Sequence, residues 1–169
     1  MNSTEKSGAD LAQALARKER DWQSMIRITH DFFHAWRKAA QDKLGEAAAM
    51  DMELAFWENV GVGTGKMYLE RGGKPEDLER IAFTMQRASD VMGETARMEK
   101  DGNDVLVVHT ACPWMDSFRA AGLPNRCGKG CDLWFQVAGR TISPKVNVIT
   151  ESLLPNGDAT CTRRFTLSA

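Results

Sequence analysis

The residues with side chains suited to chemistry gather in the last third of this chain. They read His109-Thr110-Ala111-Cys112-Pro113-Trp114, then Cys127-Gly128-Lys129-Gly130-Cys131-Asp132, then Cys161-Thr162-Arg163. All four cysteines of the chain lie there. Thiolate and imidazole are the ligands that zinc and iron–sulfur clusters use. Cys127 and Cys131 are spaced i, i+4, and on a helix that spacing faces one way. One ion can therefore take both, with Cys161 arriving from a neighbouring strand. His109, Cys112, Cys127, Cys131 and Cys161 are thus candidate metal ligands, for zinc first and for a cluster second. The spacing is not a repeated Cys-x-x-Cys pair.

A second chemistry needs no metal. Cys112 precedes a proline that opens a helix, where backbone amides and the helix dipole lower a thiol pKa. His109 is close enough in sequence to serve as its base. Cys112 and His109 are the candidate catalytic residues on that reading. A third reading leaves the cysteines as small buried side chains, and the apolar face expected around Cys161 favours it for that residue. Arg163 shares the face of Cys161 and suits a carboxylate, which makes it a candidate substrate-binding residue.

These residues need a scaffold, and the rest of the chain reads as one. It has 169 residues, of which 43% are hydrophobic, enough for one domain with a real core. Residues 1–9 are small and polar and read as a disordered start. Residues 10–169 read as one domain, with a helical half over 10–93 and a sheet half over 94–169 that carries the cysteines. Lys plus Arg is 22 against 23 Asp plus Glu, so no basic excess points to nucleic acid. No apolar run is long enough for a membrane helix. The polar N-terminus lacks the apolar core of a signal peptide. The expected location is the cytoplasm, where thiols stay reduced.

From Asp10 apolar residues recur at helical spacing through Leu11, Leu15, Trp22, Met25, Thr29, Phe32, Trp36 and Ala40. This reads as one long helix or two, packing on the domain or forming a homodimer. His30 and His34 fall on it at metal-ligand spacing, but at the flank of the stripe, so they read as exposed or boundary residues. A second helix from about Glu46 to Leu69 aligns Met50, Leu54, Trp57, Gly61, Gly65 and Tyr68. Glycine inside a helix costs about 1 kcal/mol against alanine. Gly61 and Gly65 therefore serve either a close helix contact or a flat ligand, and Trp57 and Gly61 are candidate substrate-binding residues. The run Gly61 to Lys66 matches neither the phosphate-loop nor the dinucleotide pattern. A third helix opens at Lys74-Pro75, buries Leu78, Ile81, Ala82, Met85, Ala88 and Ser89, and stops near Gly93.

The period then changes to two. Thr95–Lys100 and Asp104–Thr110 read as a hairpin, with Val105–Val108 in a central strand. Short helices follow at Cys112 and over Cys127–Val137. Strands over Lys145–Leu153 and Asp158–Leu167 are joined by a hairpin turn at Pro155-Asn156-Gly157-Asp158. The fold class is α+β, a helical N-terminal half packed with a mostly antiparallel sheet of about four strands interrupted by two short helices.

Cys112-Pro113, Cys127-x-x-x-Cys131-Asp132, Pro144 before a strand, and Leu154-x-x-Gly157-Asp158-x-x-Cys161-x-x-x-Phe165 resemble the L-2-amino-thiazoline-4-carboxylate hydrolase-like family. The similarity covers residues 45–167. It implies addition of water to a cyclic amidine that carries a carboxylate, with an activated thiol or a metal-bound water as nucleophile. It also implies roles for Cys112, Cys127, Cys131 and Cys161. To a lesser degree the chain is similar to 4-vinyl-reductase-type domains, which implies a small-molecule sensor or carrier. The expectation is a hydrolase acting on a C–N bond of a small cyclic amidine or amide. The alternative is a noncatalytic binding domain with a structural zinc or iron–sulfur site. A small-molecule ligand is the expected partner on both.

Overall fold

The computed structural model describes residues 3–168. Its order is α1 (Ser3–Leu44), α2 (Glu46–Glu70), α3 (Leu78–Val91), β1 (Thr95–Asp101), β2 (Asp104–Ala111), α4 (Pro113–Ala120), α5 (Cys127–Ile142), β3 (Val146–Ser152) and β4 (Cys161–Leu167). The four strands form one antiparallel sheet in the order β1-β2-β4-β3. The α+β expectation holds, and Val105–Val108 do lie in a central strand.

The sequence pattern explains most element ends. Asp77 starts α3 by accepting a hydrogen bond from the Arg80 amide at 3.0 Å. Pro75 therefore sits in the turn before the helix, three residues ahead of the first helical position. Asp101 pairs with Asp104 across a two-residue turn in which Gly102 takes φ 62°, as a tight hairpin demands. The β3–β4 connection is longer than the expected hairpin turn. A 3-10 turn over Leu154–Asn156 intervenes, and β4 begins only at Cys161. α5 runs on to Ile142 because Ala138 and Ile142 continue its buried face, and Pro144 follows.

α1 is one continuous helix of 42 residues, about 63 Å at the helical rise. Residues 1–2 of the polar start lie outside the described residues, and the helix begins at Ser3. Its buried face is Ile26, His30, Phe33, Arg37 and Ala40. That face is offset by one residue from the stripe expected through Met25, Thr29 and Phe32. Leu11, Leu15, Met25 and Phe32 instead face outward, Phe32 with 78% of its surface exposed. The buried face is held by charge as well as by packing. The Arg37 guanidinium donates to Glu53 on α2 at 2.7 Å and to Glu46 at 2.8 Å, and both Arg37 and Glu53 are 2% exposed. His30 is a correction to the sequence reading. It is buried, stacked against Trp114 with ring centres 4.0 Å apart, and burial beside His34 pushes its pKa down to about 4. His34 is half-buried and lies 3.1 Å from the Ser117 hydroxyl.

α2 lies along α5, and the glycines decide how closely. A Cβ on Gly61 would stand 2.9 Å from Val137 Cβ and 3.0 Å from the Trp134 carbonyl oxygen. One on Gly65 would stand 2.6 Å from Thr141 Cβ and 2.9 Å from the Ala138 carbonyl oxygen. The carbonyls belong to helix backbone and cannot swing away. Gly61 therefore serves the helix crossing and not a ligand, which corrects its assignment to substrate binding. The core behind this contact joins Ile81 and Met85 of α3, Phe135 of α5 and Phe165 of β4.

Gly65→Val forces α2 away from α5 and is expected to destabilise the protein by about 1–3 kcal/mol, whereas Gly63→Val, which meets nothing within 4 Å, costs less than half as much. Urea unfolding of both variants checks the contrast.

Candidate functional site

One cavity of about 1170 Å³ opens between α1, α2, α3 and the sheet. Phe33, Phe56, Trp57, Trp114, Phe118 and Trp134 give it aromatic walls. Its polar lining includes Ser89, Glu94, His109, Arg163 and the four cysteines, with Arg71, Arg87, Thr29, Thr64 and Thr84. The sheet register explains why His109 and Arg163 meet there. His109 pairs with Cys161, and Val107 with Arg163, between β2 and β4. Alternation then turns His109, Cys161 and Arg163 to one face.

His109 is 1% exposed, and protein groups occupy both of its nitrogens. Nδ1 lies 3.4 Å from the Cys161 carbonyl oxygen. A carbonyl only accepts, so this contact assigns the ring proton to Nδ1 and leaves Nε2 as an acceptor. Nε2 lies 3.0 Å from the Ser89 hydroxyl and 3.2 Å from Glu94 Oε2. Burial, with the Arg163 charge nearby, pushes the His109 pKa down to about 4. Its contact with Glu94 is therefore no ion pair at neutral pH. Burial pushes the Glu94 carboxyl up to about 7, against the pull of the Arg163 guanidinium and the Ser89 hydroxyl. A neutral carboxyl can donate to the Nε2 lone pair, while an ionised one would face it.

The turn after α3 brings Ser89 and Glu94 together. The Glu94 amide donates back to the Ser89 carbonyl at 3.1 Å, and Gly93 takes φ 79° to allow the reversal. Sequence reasoning placed Ser89 on the buried face of α3 but gave it no role, and it missed Glu94 entirely. A serine on an otherwise apolar helix face was the available signal. Two residues of α1 brace the same turn. Trp22 Nε1 donates to the Val91 carbonyl at 2.8 Å, and Ile26 Cδ1 lies 2.7 Å from where a Gly93 Cβ would be.

Arg163 is 1% exposed. It donates to Asp132 of α5 at 2.9 Å and lies over the Phe135 ring, 4.9 Å from its centre. Burial works against its charge, yet Cys131, Asp132 and Cys161 raise its pKa and hold it protonated. Its Nε has no hydrogen-bond partner. A buried donor in that condition is costly unless something accepts from it.

The cysteines do line this cavity, but in a form that does not fit the expected chemistry. Cys112 caps α4, as the proline signal implied. Burial nonetheless pushes its thiol up to about 12, with Glu94 adding to the rise and the amides of Met115 and Trp114 only partly opposing it. Desolvation outweighs the helix terminus, so this is no activated thiolate. Burial pushes Cys127 up to about 11 and Cys131 well above its ordinary value. Among the described residues, no three His, Cys, Asp or Glu side chains form a group that could hold a metal ion. His109 is turned to Ser89, Glu94 and the Cys161 carbonyl, and the Cys161 sulfur accepts from the Leu154 amide at 3.1 Å. Trp57 is in the wall, with its indole against Gly130.

Residues 25–165 match the family described as L-2-amino-thiazoline-4-carboxylic acid hydrolase. The chain belongs to that family. Comparison with curated proteins gives no match. Solved structures with a similar fold include the phenol-responsive sensory domain of the transcription activator PoxR with phenol, at 13% identity and a TM-score of 0.58, covering 82% of this chain and 74% of that one. They also include a trafficking protein particle complex subunit 3 from Naegleria fowleri covalently bound to palmitic acid, at 13% identity and a TM-score of 0.56, covering 87% and 97%. At such identity these two show a shared fold. No described helix is long and apolar enough to cross a membrane.

The thiol environment has a direct readout. Iodoacetamide at about pH 7.5 is expected to modify Cys112 and Cys127 of the folded protein at least tenfold more slowly than in the unfolded chain, because so little thiolate is present. The folded rates should climb as pH approaches about 11. Mass-spectrometric time courses on peptides holding each cysteine check this.

Proposed function

We propose that this protein binds a small molecule with an apolar body and a carboxylate in the α1–α3 cavity, and adds water to its carbon–nitrogen centre. The observation that carries the reading is Arg163. A fully buried guanidinium with an unpartnered Nε, at the polar end of an aromatic cavity, suits an anionic head group. The family description names a carboxylate substrate with a cyclic amidine, and the resemblance in the sequence points the same way. The thiol chemistry favours water as the nucleophile over a cysteine. The volume of about 1170 Å³ far exceeds one five-membered ring. A substrate with an aromatic or alkyl extension fits it better than the unsubstituted aminothiazoline.

The second reading is a noncatalytic sensor or carrier. Its support is the apolar wall and a fold shared with a phenol-responsive sensory domain with phenol and with a trafficking subunit covalently bound to palmitic acid. Turnover separates the two readings.

Assembly is part of the proposal. Leu11, Leu15, Met25, Ile28 and Phe32 are each more than half exposed on α1, and Ile28 and Phe32 continue into the cavity mouth. That stripe supports a homodimer through α1. Leu11→Glu with Leu15→Glu is expected to shift the mass measured by light scattering from dimer to monomer, and a wild-type monomer would end the dimer reading.

Arg163→Lys keeps the charge beside Asp132 but loses the Nε donor. It is expected to weaken binding of a carboxylate-bearing aminothiazoline at least tenfold and leave the matching methyl ester within twofold. Tryptophan fluorescence titration reads both, and equal losses would remove Arg163 from the carboxylate site.

A further inference from the structure

Glu94 is the one carboxyl among the described residues that lines the cavity, and the cysteine chemistry leaves it without an obvious rival for proton transfer. Its side chain is 8% exposed, and its Oε2 is 3.2 Å from His109 Nε2. The Ser89 hydroxyl lies beside them, 3.0 Å from the same nitrogen and hydrogen-bonded to the carboxyl. This is not a serine–histidine–acid relay. In that arrangement the acid binds the nitrogen opposite the serine, and here the Cys161 carbonyl occupies that place. Serine and carboxyl both converge on Nε2. The arrangement therefore positions a carboxyl, with His109 as a fixed acceptor behind it and Ser89 as a donor beside it. Arg163 lines the same cavity, so a ligand held there by its carboxylate would bring its ring toward Glu94.

We propose that Glu94 is the catalytic proton-transfer residue of this cavity, with His109 and Ser89 as its positioning residues. The inference rests on the hydrolytic reading above. The neutral carboxyl gives its proton to the ring nitrogen of the C=N bond. The π pair moves to that nitrogen as the oxygen of a water molecule bonds to the carbon. The Glu94 carboxylate then takes the extra proton from the added water. Collapse of the hydroxyl adduct to a carbonyl breaks the bond from that carbon to a ring heteroatom. The heteroatom receives a proton through the same carboxyl. One water is consumed, and no oxidant, reductant or metal is needed. Burial keeps the proton on Glu94 up to about pH 7, and His109 Nε2 offers that carboxyl a lone pair.

The substrate class rests on the proposed function and on the apolar wall around the two polar anchors. It is a cyclic amidine with a carboxylate on the ring and an apolar substituent directed into the Phe33, Trp57 and Trp114 walls.

The test compares wild-type protein with Glu94→Gln on 2-aminothiazoline-4-carboxylate and its 5-alkyl and 5-phenyl analogues. Ring opening is followed between about pH 5 and pH 9, and binding of each compound is followed by tryptophan fluorescence. Glutamine matches the neutral carboxyl in shape, so the variant should fold, and its circular dichroism confirms that. The expected result is a kcat at least about 100-fold lower, with Kd within threefold. Wild-type kcat should fall as pH rises through about 7, because the neutral acid is the active form, and this limb should vanish in the variant. Glu94→Asp should restore part of the rate. A Glu94→Gln enzyme that keeps its rate or its pH limb overturns the assignment. Wild-type protein that binds the compounds and turns none over overturns it too, while leaving the binding reading standing. No binding of any compound removes the reading on which both rest.

Discussion

The close contact between α2 and α5 underlies the site. It exists because Gly61 and Gly65 offer backbone where any other residue would put a carbon into the carbonyls of Trp134 and Ala138. α5 in turn carries Asp132, which pairs with Arg163, and Phe135, whose ring faces the same guanidinium. Widening the crossing would move the acid away from the arginine it neutralises. The same contact sets Trp57, one turn before Gly61, against Gly130. A packing rule on one side of the helix pair thus fixes the cavity wall and its cation on the other.

Burial is the common cause behind the electrostatics of the cavity. It drives Cys112, Glu94 and His109 all toward their neutral forms, because a low-dielectric setting penalises charge whatever its sign. Arg163 escapes, since its intrinsic pKa is so high and Asp132 is beside it. The result is a buried guanidinium, paired with Asp132 on one side, that faces neutral thiols and imidazole on the other. Of these groups Glu94 is the one brought near neutral pH.

Much of this was legible in the residues. Period-two alternation and the Asp101-Gly102-Asn103 turn placed the first hairpin, and Val105–Val108 marked a central strand. The glycine-bearing stripe of α2 announced a close approach. Inward orientation of Cys161 and Arg163 followed from strand alternation alone. The α1 face was harder. Its true buried positions include His30 and Arg37, polar residues that hydropathy places in water, while large apolar residues lie one step round the helix in solvent. Tertiary partners, Trp114 for the imidazole and Glu53 for the guanidinium, reversed that preference. The pairing of Ser89 and Glu94 with His109 was illegible for another reason. It depends on a glycine turn and on the β1–β2 register at once, and neither carries a local motif. At Cys112 the helix-terminal amides that the sequence offers favour a thiolate, while burial, which no local pattern reports, acts the other way and is larger.

α1 touches the turn that carries Glu94 at two points. Trp22 holds the Val91 carbonyl, and Ile26 rests on Gly93. Before Trp22 every residue from Gly8 to Asp21 is exposed, so this part of the helix stands out as an arm. The arm leaves the body of the protein at this turn, which is the first of its holds, and Phe33 and Arg37 fix the helix further along. A load on the arm therefore meets the Ser89–Gly93 turn, and the carboxyl that follows it, before any other part of the cavity.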